Sequence, residues 1–160
     1  MKLLEADGDR FSFYLTPTER AVLAELLEAY PCVPPAHARH RALTPETPDG
    51  TSIQQLLDEA LAEQRQATRR QIRQWMRQPD TLQRHGHGWK LQLRPGEVEM
   101  LLQVLNDVRV GSWIALGSPD PLPQELPRDP ERAHALATME LAGWFEMSLL
   151  QQLHEPPPQA

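Results

Sequence analysis

Apolar residues recur with the period of an amphipathic helix in four stretches of the chain. The first stretch opens at Thr16, a predicted N-cap followed by Pro17 and by Glu19 of a capping box, and ends before Pro31. Caps, prolines or glycines bound the other three stretches in a similar way. The predicted helices cover, in chain order, residues 17–30, 51–78, 95–117 and 130–154.

Alternation of apolar and polar residues marks short strands elsewhere. Residues 11–15 and 89–93 alternate in this way, and the turn signal Asp7-Gly8-Asp9 joins residues 11–15 to a preceding strand over 2–6. We therefore predict an all-α fold, a four-helix bundle with a small accessory β-sheet or hairpin.

One segment of the chain resembles another. Residues 11–19 align with residues 89–97, each a strand that turns through proline into a capped helix, and Leu23 aligns with Leu101 in the helices that follow. Duplication and convergence on the same capping rules both explain the match. Two such units suggest that the two strands pair in one sheet while their helices pack side by side.

Length and composition fit one domain. A chain of 160 residues can bury a sizeable core, so we predict a single helical domain over residues 1–155. Prolines cluster in two predicted loops and in residues 156–160, a predicted disordered tail. The chain shows neither a signal-peptide pattern nor the ~20 apolar residues of a membrane span. Because Cys32 is the only cysteine, no internal disulfide can form, and a cytoplasmic location is expected.

Histidines and the cysteine raise the question of a metal site. Cys32, His37 and His40 lie close together, and His85 and His87 flank a glycine. The first group falls in a proline-rich predicted loop with one sulfur, and the second has no acid nearby, so exposed loop histidines are the preferred interpretation. No nucleophile elbow, P-loop or dinucleotide-binding motif occurs. We predict no catalytic residue, no metal and no cofactor.

Charge is distributed unevenly along the chain. Residues 64–94 contain eight basic residues and one acid, a net charge of +7, whereas the remainder carries −13. Four of the arginines are spaced four apart and would form one ridge on the second long helix. We call Arg65, Arg69, Arg73 and Arg77 the arginine ridge. Like charges at this spacing repel, so an anionic group is needed to offset them.

Two sources could supply that anionic group. The many acids elsewhere in the chain favour compensation within the protein, and an external polyanion or acidic protein partner is the alternative. In the second case the ridge, with Arg84, His85 and His87 of a turn that could bind an anion, is the candidate partner-binding surface. The preferred hypothesis is a non-enzymatic interaction protein, an adaptor or regulator.

Two further functions use the same surface. The protein could be a nucleic-acid-binding transcriptional regulator, or an enzyme that acts on an anionic substrate in a pocket beside the ridge. The four tryptophans could line one core or a dimer seam, so both a monomer and a homodimer remain open. They are Trp75, Trp89, Trp113 and Trp144.

A polar cluster interrupts the most apolar predicted helix. Asn106, Asp107 and Arg109 lie among leucines and valines. Buried charges are tolerated only when they are paired and hydrogen-bonded, so we expect these side chains to reach partners on other helices. We predict a structural polar network here rather than a ligand site.

The same stretch, Leu105 to Val110 leading to Leu116-Gly117, resembles the signature helix of an uncharacterised, mainly actinobacterial family of all-helical domains. There the motif reads leucine-asparagine-aspartate-leucine-arginine, then glycine and often a second arginine, where this chain has Gly111 early and Trp113-Ile114. The resemblance covers about residues 97–117. It implies a bacterial protein encoded near an adaptor of the Clp proteolytic system and a deubiquitinase-like peptidase, which hints at regulated protein turnover.

A second resemblance concerns the start of the first helix. Residues 15–23 are similar to the opening of the helix-turn-helix in response-regulator DNA-binding domains. A proline-rich predicted loop follows where the recognition helix of that motif would stand. We interpret the similarity as shared capping.

Overall fold

The computed structural model describes residues 1–38 and 48–154. They form four long helices, one single-turn helix and four strands. The elements are β1 (Lys2–Asp7), β2 (Arg10–Leu15), α1 (Pro17–Ala29), α2 (Pro35–Ala38), α3 (Pro48–Arg77), β3 (Leu82–His85), β4 (Gly88–Leu93), α4 (Pro95–Ala115) and α5 (Pro130–His154). The predicted disordered tail, residues 156–160, lies outside the described residues.

The predicted all-α four-helix bundle is wrong. The four strands form one antiparallel sheet in the order β1-β2-β4-β3, so the fold is α+β. The missing element was β3, whose sequence Leu-Gln-Arg-His holds one apolar residue and therefore no alternation to detect. It forms because its backbone pairs with β4, with Leu82 opposite Leu91.

One face of the sheet belongs to the hydrophobic core. Residues directly opposite each other on paired strands point to the same face, and Phe13 lies opposite Leu91 as Phe11 lies opposite Leu93. Phe13, Leu91 and Leu93 are almost completely buried, in one cluster with residues of α1, α3, α4 and α5. Those helix residues include Leu26 of α1, Leu105 of α4 and Phe145 of α5. The helices therefore cover one face of the sheet.

The two similar segments form similar structures. Strands β2 and β4 pair with each other, as the match between them suggests. At the start of α1 the Thr16 N–H donates to Glu19 Oε2 (2.7 Å), and at the start of α4 the Arg94 N–H donates to Glu97 Oε2 (2.7 Å). The second bond of a capping box forms only at α1, where the Glu19 N–H donates to Thr16 Oγ1, because the arginine side chain at α4 has no acceptor.

Helix α3 joins the core by its C-terminal half. Ile72 and Trp75 are buried, whereas Ile53, Leu56 and Leu57, which the helical period assigned to the buried face, are exposed. The helix begins at Pro48, ahead of the predicted cap at Thr51. A bundle would bury the apolar stripe of α3 along its whole length, so the exposure of its N-terminal apolar residues is a second departure from the predicted fold. Among the described residues no helix combines the length and apolarity needed to cross a membrane.

Helix α4 runs without a break through Gly111, where the sequence allowed an interruption. The reason for a glycine is a close approach, since a Cβ built at Gly111 would lie 2.4 Å from the carbonyl carbon of Cys32. The segment after α1 thus lies directly on the backbone of α4. This contact brings Cys32 next to the polar cluster of α4.

Candidate functional site

The arginine ridge is only partly compensated within the protein. Arg65 is half-buried and forms an ion pair with Asp107 of α4, with Nη2 3.6 Å from Oδ2. Arg69, Arg73 and Arg77 are exposed, and within residues 1–38 and 48–154 no carboxylate lies within ion-pair distance of them. Three of the four guanidinium groups are therefore available to an external anion.

The exposed part of the ridge borders a groove between α1 and α3. The groove has a volume of about 500 Å³, and we call it the ridge groove. Its floor is apolar, and three arginines line it from α3. The lining residues are Ala24, Leu27 and Glu28 of α1 and Arg69, Ile72, Arg73, Met76 and Arg77 of α3. Because the floor is apolar and the edge cationic, the groove offers an acidic segment both burial and charge pairing.

A second, shallower depression lies on the other side of Arg73 and Arg77. It has a volume of about 490 Å³ and is also lined by Arg70. Arg73 and Arg77 therefore stand between two depressions and can point into either one. The remaining lining residues are Gln74, Gln78 and Pro79.

The predicted extension of this surface contacts aromatic residues of the sheet. Arg84, His85 and His87 belong to the hairpin between β3 and β4, where Gly86 takes the positive φ (57°) that favours glycine. The Arg84 guanidinium lies over the Trp89 ring, 5.0 Å from its centroid, and His85 meets Tyr14 edge-on at 6.4 Å between ring centroids. These three side chains line none of the described depressions that contain the ridge arginines.

The polar cluster of α4 reaches partners on two other elements. Asp107 Oδ1 accepts hydrogen bonds from the backbone N–H groups of Cys32 (2.6 Å) and Val33 (3.2 Å), in addition to its ion pair with Arg65. Arg65 Nη1 in turn donates to the Val33 carbonyl oxygen (2.9 Å). The carboxylate thereby connects α4, the segment after α1 and the middle of α3.

Burial and this carboxylate together change the acidity of two neighbours. Burial raises the pKa of the Cys32 thiol, and the charge of Asp107 raises it further. Burial also raises the pKa of the Tyr30 hydroxyl, with Asp107 adding to the effect and a hydrogen bond to Thr68 opposing it. Because a thiolate is the reactive form of cysteine, this environment makes Cys32 a poor nucleophile.

Arg109 forms a separate pair on the other side of α4. Its Nε donates to Glu146 Oε2 of α5 (2.8 Å) and its Nη2 to Asn106 Oδ1 (2.8 Å). Burial raises the pKa of the Glu146 carboxyl, and the charge and hydrogen bond of Arg109 act against that rise. All three residues of the predicted network thus have contacts, divided between two clusters.

Within the described ranges, no three His, Cys, Asp or Glu side chains come close enough to hold a metal ion. His37 is exposed, and His40 lies outside the described residues.

The sequence could not show that Cys32 and Val33 would meet Asp107, nor that Leu27 would form part of the groove floor, because both depend on how distant segments pack. The one local signal was a glycine at 111 inside an apolar helix.

Comparison of the chain with protein-family models, curated proteins and solved structures found no match. The resemblance of residues 105–110 to an actinobacterial domain family therefore stays an expectation from the motif.

Proposed function

We propose that this protein is a non-enzymatic adaptor or regulator, and that the ridge groove binds an acidic segment of a partner protein. The observation that carries the proposal is the exposure of Arg69, Arg73 and Arg77 beside an apolar floor, without carboxylate partners among the described residues. The proposed compartment is the cytoplasm, where Cys32 stays reduced.

Charge supports an anionic ligand. The three arginines repeat at intervals of four, so each lies close to the next and raises its electrostatic free energy. A ligand that carries carboxylates at helical spacing would relieve this repulsion through several bidentate contacts at once. Such a ligand binds the ridge more tightly than any single carboxylate can.

The groove floor supports a peptide rather than a nucleic acid. Ala24 and Met76 are half-buried and lie over the buried Leu27 and Ile72, so the groove offers apolar surface that leucine-type side chains can cover. A phosphate backbone gains nothing from this surface. Glu28 lines the opposite wall, with Glu25 exposed on the same helix, and both would repel any anion on that side, so the acids of a ligand have to face α3. An acidic amphipathic helix fits this combination because its apolar face meets the floor while its acids meet the arginines.

The test uses two fluorescein-labelled model helices with identical leucine positions, one with glutamate and one with lysine at the polar positions. Fluorescence anisotropy should show saturable binding of the Leu/Glu peptide. Arg69→Glu/Arg73→Glu should weaken that binding about tenfold or more. Rising salt should weaken it as well, because exposed charges are screened.

The matched control is Arg10→Glu/Arg128→Glu, which changes net charge equally at two other exposed arginines. It should leave the affinity nearly unchanged. Equal losses in both double variants would mean that only net charge matters and would refute the ridge groove as the site. Tighter binding of a duplex DNA than of the Leu/Glu peptide, lost in Arg69→Glu/Arg73→Glu, would refute the acidic peptide in favour of nucleic acid.

A further inference from the structure

A second groove lies between α4, α5 and the loop that joins them, and the proposed function does not use it. We call it the tryptophan groove; its volume is about 840 Å³. Large apolar side chains line it and remain in contact with solvent. Trp113 is 37% exposed, Leu122 44%, Trp144 45% and Met147 58%. Apolar patches of this kind are typical of protein interaction sites.

Contacts within the protein hold the walls of the tryptophan groove in place. The Trp113 Nε1–H donates to the Pro119 carbonyl oxygen (3.2 Å), which fixes that indole against the loop. The Trp144 ring meets the buried Phe145 ring edge-on, with 4.9 Å between centroids. Gly143 has no side chain to fill the groove, and a Cβ there would already touch Arg109 Cδ at 3.4 Å. The groove is therefore preformed.

The charges of this groove have the opposite sign to those of the ridge groove. Arg109 is its one basic lining residue in the described chain, and it is engaged by Glu146 and Asn106. Asp120 and Glu140 also line the groove, and no cationic partner lies near either carboxylate within residues 1–38 and 48–154. The groove therefore combines apolar walls with uncompensated negative charge.

From this geometry we infer that the tryptophan groove binds a basic amphipathic helix of a partner protein. Its leucine-type residues would cover Trp113, Trp144 and Met147, while lysines or arginines at its edge would pair with Asp120 and Glu140. A helix suits the groove better than a small molecule does, since the exposed walls are too open to enclose a small molecule. With the ridge groove, the protein would present two surfaces of opposite charge to two partners.

The test follows binding of the Leu/Lys model helix by NMR of the tryptophan indole N–H signals. The signals of Trp113 and Trp144 should shift on binding while those of Trp75 and Trp89 stay in place. Trp144→Ala/Met147→Ala should weaken the affinity about thirtyfold, the loss expected for central anchors. Asp120→Lys/Glu140→Lys should reverse the preference between the Leu/Lys and Leu/Glu peptides at this groove.

Ile53→Ala/Leu56→Ala is the matched control, because it removes similar exposed apolar surface from α3. It should leave the affinity unchanged. Gly143→Leu should also weaken the affinity for the Leu/Lys peptide, since it fills the groove without removing an anchor. Far-UV circular dichroism verifies that each variant is folded.

Three outcomes would overturn the inference. The first is equal affinity of both peptides at this groove together with no effect of Asp120→Lys/Glu140→Lys. The second is the absence of saturable Leu/Lys binding to the wild type. The third is a dimer in sedimentation that Trp144→Ala/Met147→Ala dissociates, which would place a second copy in the groove. None of these decides the ridge groove, whose test rests on Arg69→Glu/Arg73→Glu compared with Arg10→Glu/Arg128→Glu.

Discussion

Arg65 and Arg69 lie one helical turn apart on α3, but their surroundings differ. Arg65 contacts Asp107 and the Val33 carbonyl oxygen, so its charge is offset inside the protein. Arg69 is exposed at the edge of the ridge groove and has no carboxylate partner in the described chain. The same residue type in the same periodic pattern thus forms part of the interior at one position and part of an open surface at the next.

The difference teaches that a repeating charge pattern does not reveal which members are compensated. The carboxylate that compensates Arg65 comes from α4, and its position depends on how closely the segment after α1 can approach Gly111. Beyond that contact, α3 faces α1 across the ridge groove, where Glu28 forms no ion pair with Arg69, Arg73 or Arg77 among the described residues. Of the two alternatives that the sequence posed, internal compensation therefore applies to Arg65, and the proposed partner binding concerns Arg69, Arg73 and Arg77.

The largest expected effect comes from Gly111→Val. The new side chain would overlap the Cys32 backbone and push the segment after α1 off α4, which would also break the hydrogen bonds of Asp107. We expect a loss of about 3 kcal/mol in the free energy of unfolding, the upper end of overpacking costs. Urea denaturation measures it.

Gly96→Ala in the same helix is the control, because a Cβ at that position meets nothing within 4 Å. It should raise stability by about 0.5 kcal/mol. If Gly111→Val unfolds at the urea concentration of the wild type, the close approach to Cys32 is incorrect.

Asp107→Ala removes the compensation of Arg65 and leaves the N–H groups of Cys32 and Val33 without their acceptor. We expect a loss of about 2 kcal/mol in the free energy of unfolding, as for hydrogen bonds to a partly accessible charged group. The loss of the carboxylate should also lower the pKa of the Cys32 thiol, so alkylation by iodoacetamide should become faster.

Asn106→Ala, at the adjacent position, is the comparison variant, since within the described ranges the Asn106 side chain accepts one hydrogen bond, from Arg109. It should change neither the alkylation rate nor the stability by a comparable amount. If Cys32 is alkylated equally fast in the wild type and in Asp107→Ala, the Asp107 carboxylate does not lie next to Cys32.

Local rules predicted the elements that have local causes. The hairpin of β1 and β2, the Thr16 cap and the shared strand-proline-helix unit all follow from spacing within about ten residues, and all are confirmed. The strand β3 could not be found in this way, because its polar residues pair through the backbone with β4. Because β3 was missed and Ile53, Leu56 and Leu57 were assigned to a buried face, the sequence predicted a bundle instead of an α+β fold.

The candidate site was predicted only in its charges. The spacing of the arginines placed Arg69, Arg73 and Arg77 on one face, but nothing in the sequence indicated that Leu27 and Ile72 would form a floor beside them. The sequence left Trp144 open between one core and a dimer seam, and the helical period of residues 130–154 places Met147 on the same apolar face; both side chains are exposed. An apolar residue at helical spacing is equally suited to a core and to a docking surface, so periodicity alone could not separate them.

Glu146 tests the second compensated arginine, Arg109, through its pH dependence. Burial raises the pKa of the Glu146 carboxyl in the folded state, so the folded protein binds this proton more tightly than the unfolded chain does. Stability should therefore fall as pH rises from the ordinary value of 4.5 through the raised one. Glu146→Gln cannot titrate, so urea midpoints of the two proteins should diverge over this window, the wild type losing more.

The divergence should be smaller than the two effects above, because Arg109 opposes the rise in pKa. If the urea midpoints of the wild type and Glu146→Gln stay parallel across the window, the Glu146 carboxyl is solvated. The contact between Arg109 and α5 would then be incorrect. A wild type that gains stability relative to Glu146→Gln as pH rises would mean that Arg109 outweighs burial.

The smallest effect is the sharpest test of the difference between the arginines. Arg73 has like charges at both four-residue neighbours, Arg69 and Arg77, and no carboxylate partner among the described residues. Arg73→Gln should therefore raise the free energy of unfolding by about 0.5 kcal/mol at low salt, and the gain should shrink as salt rises. The same change at Arg65 removes an ion pair and should lower stability by about 1 kcal/mol. If both substitutions lower the free energy of unfolding, Arg73 is compensated as well. The ridge groove would then lack an uncompensated arginine at this position.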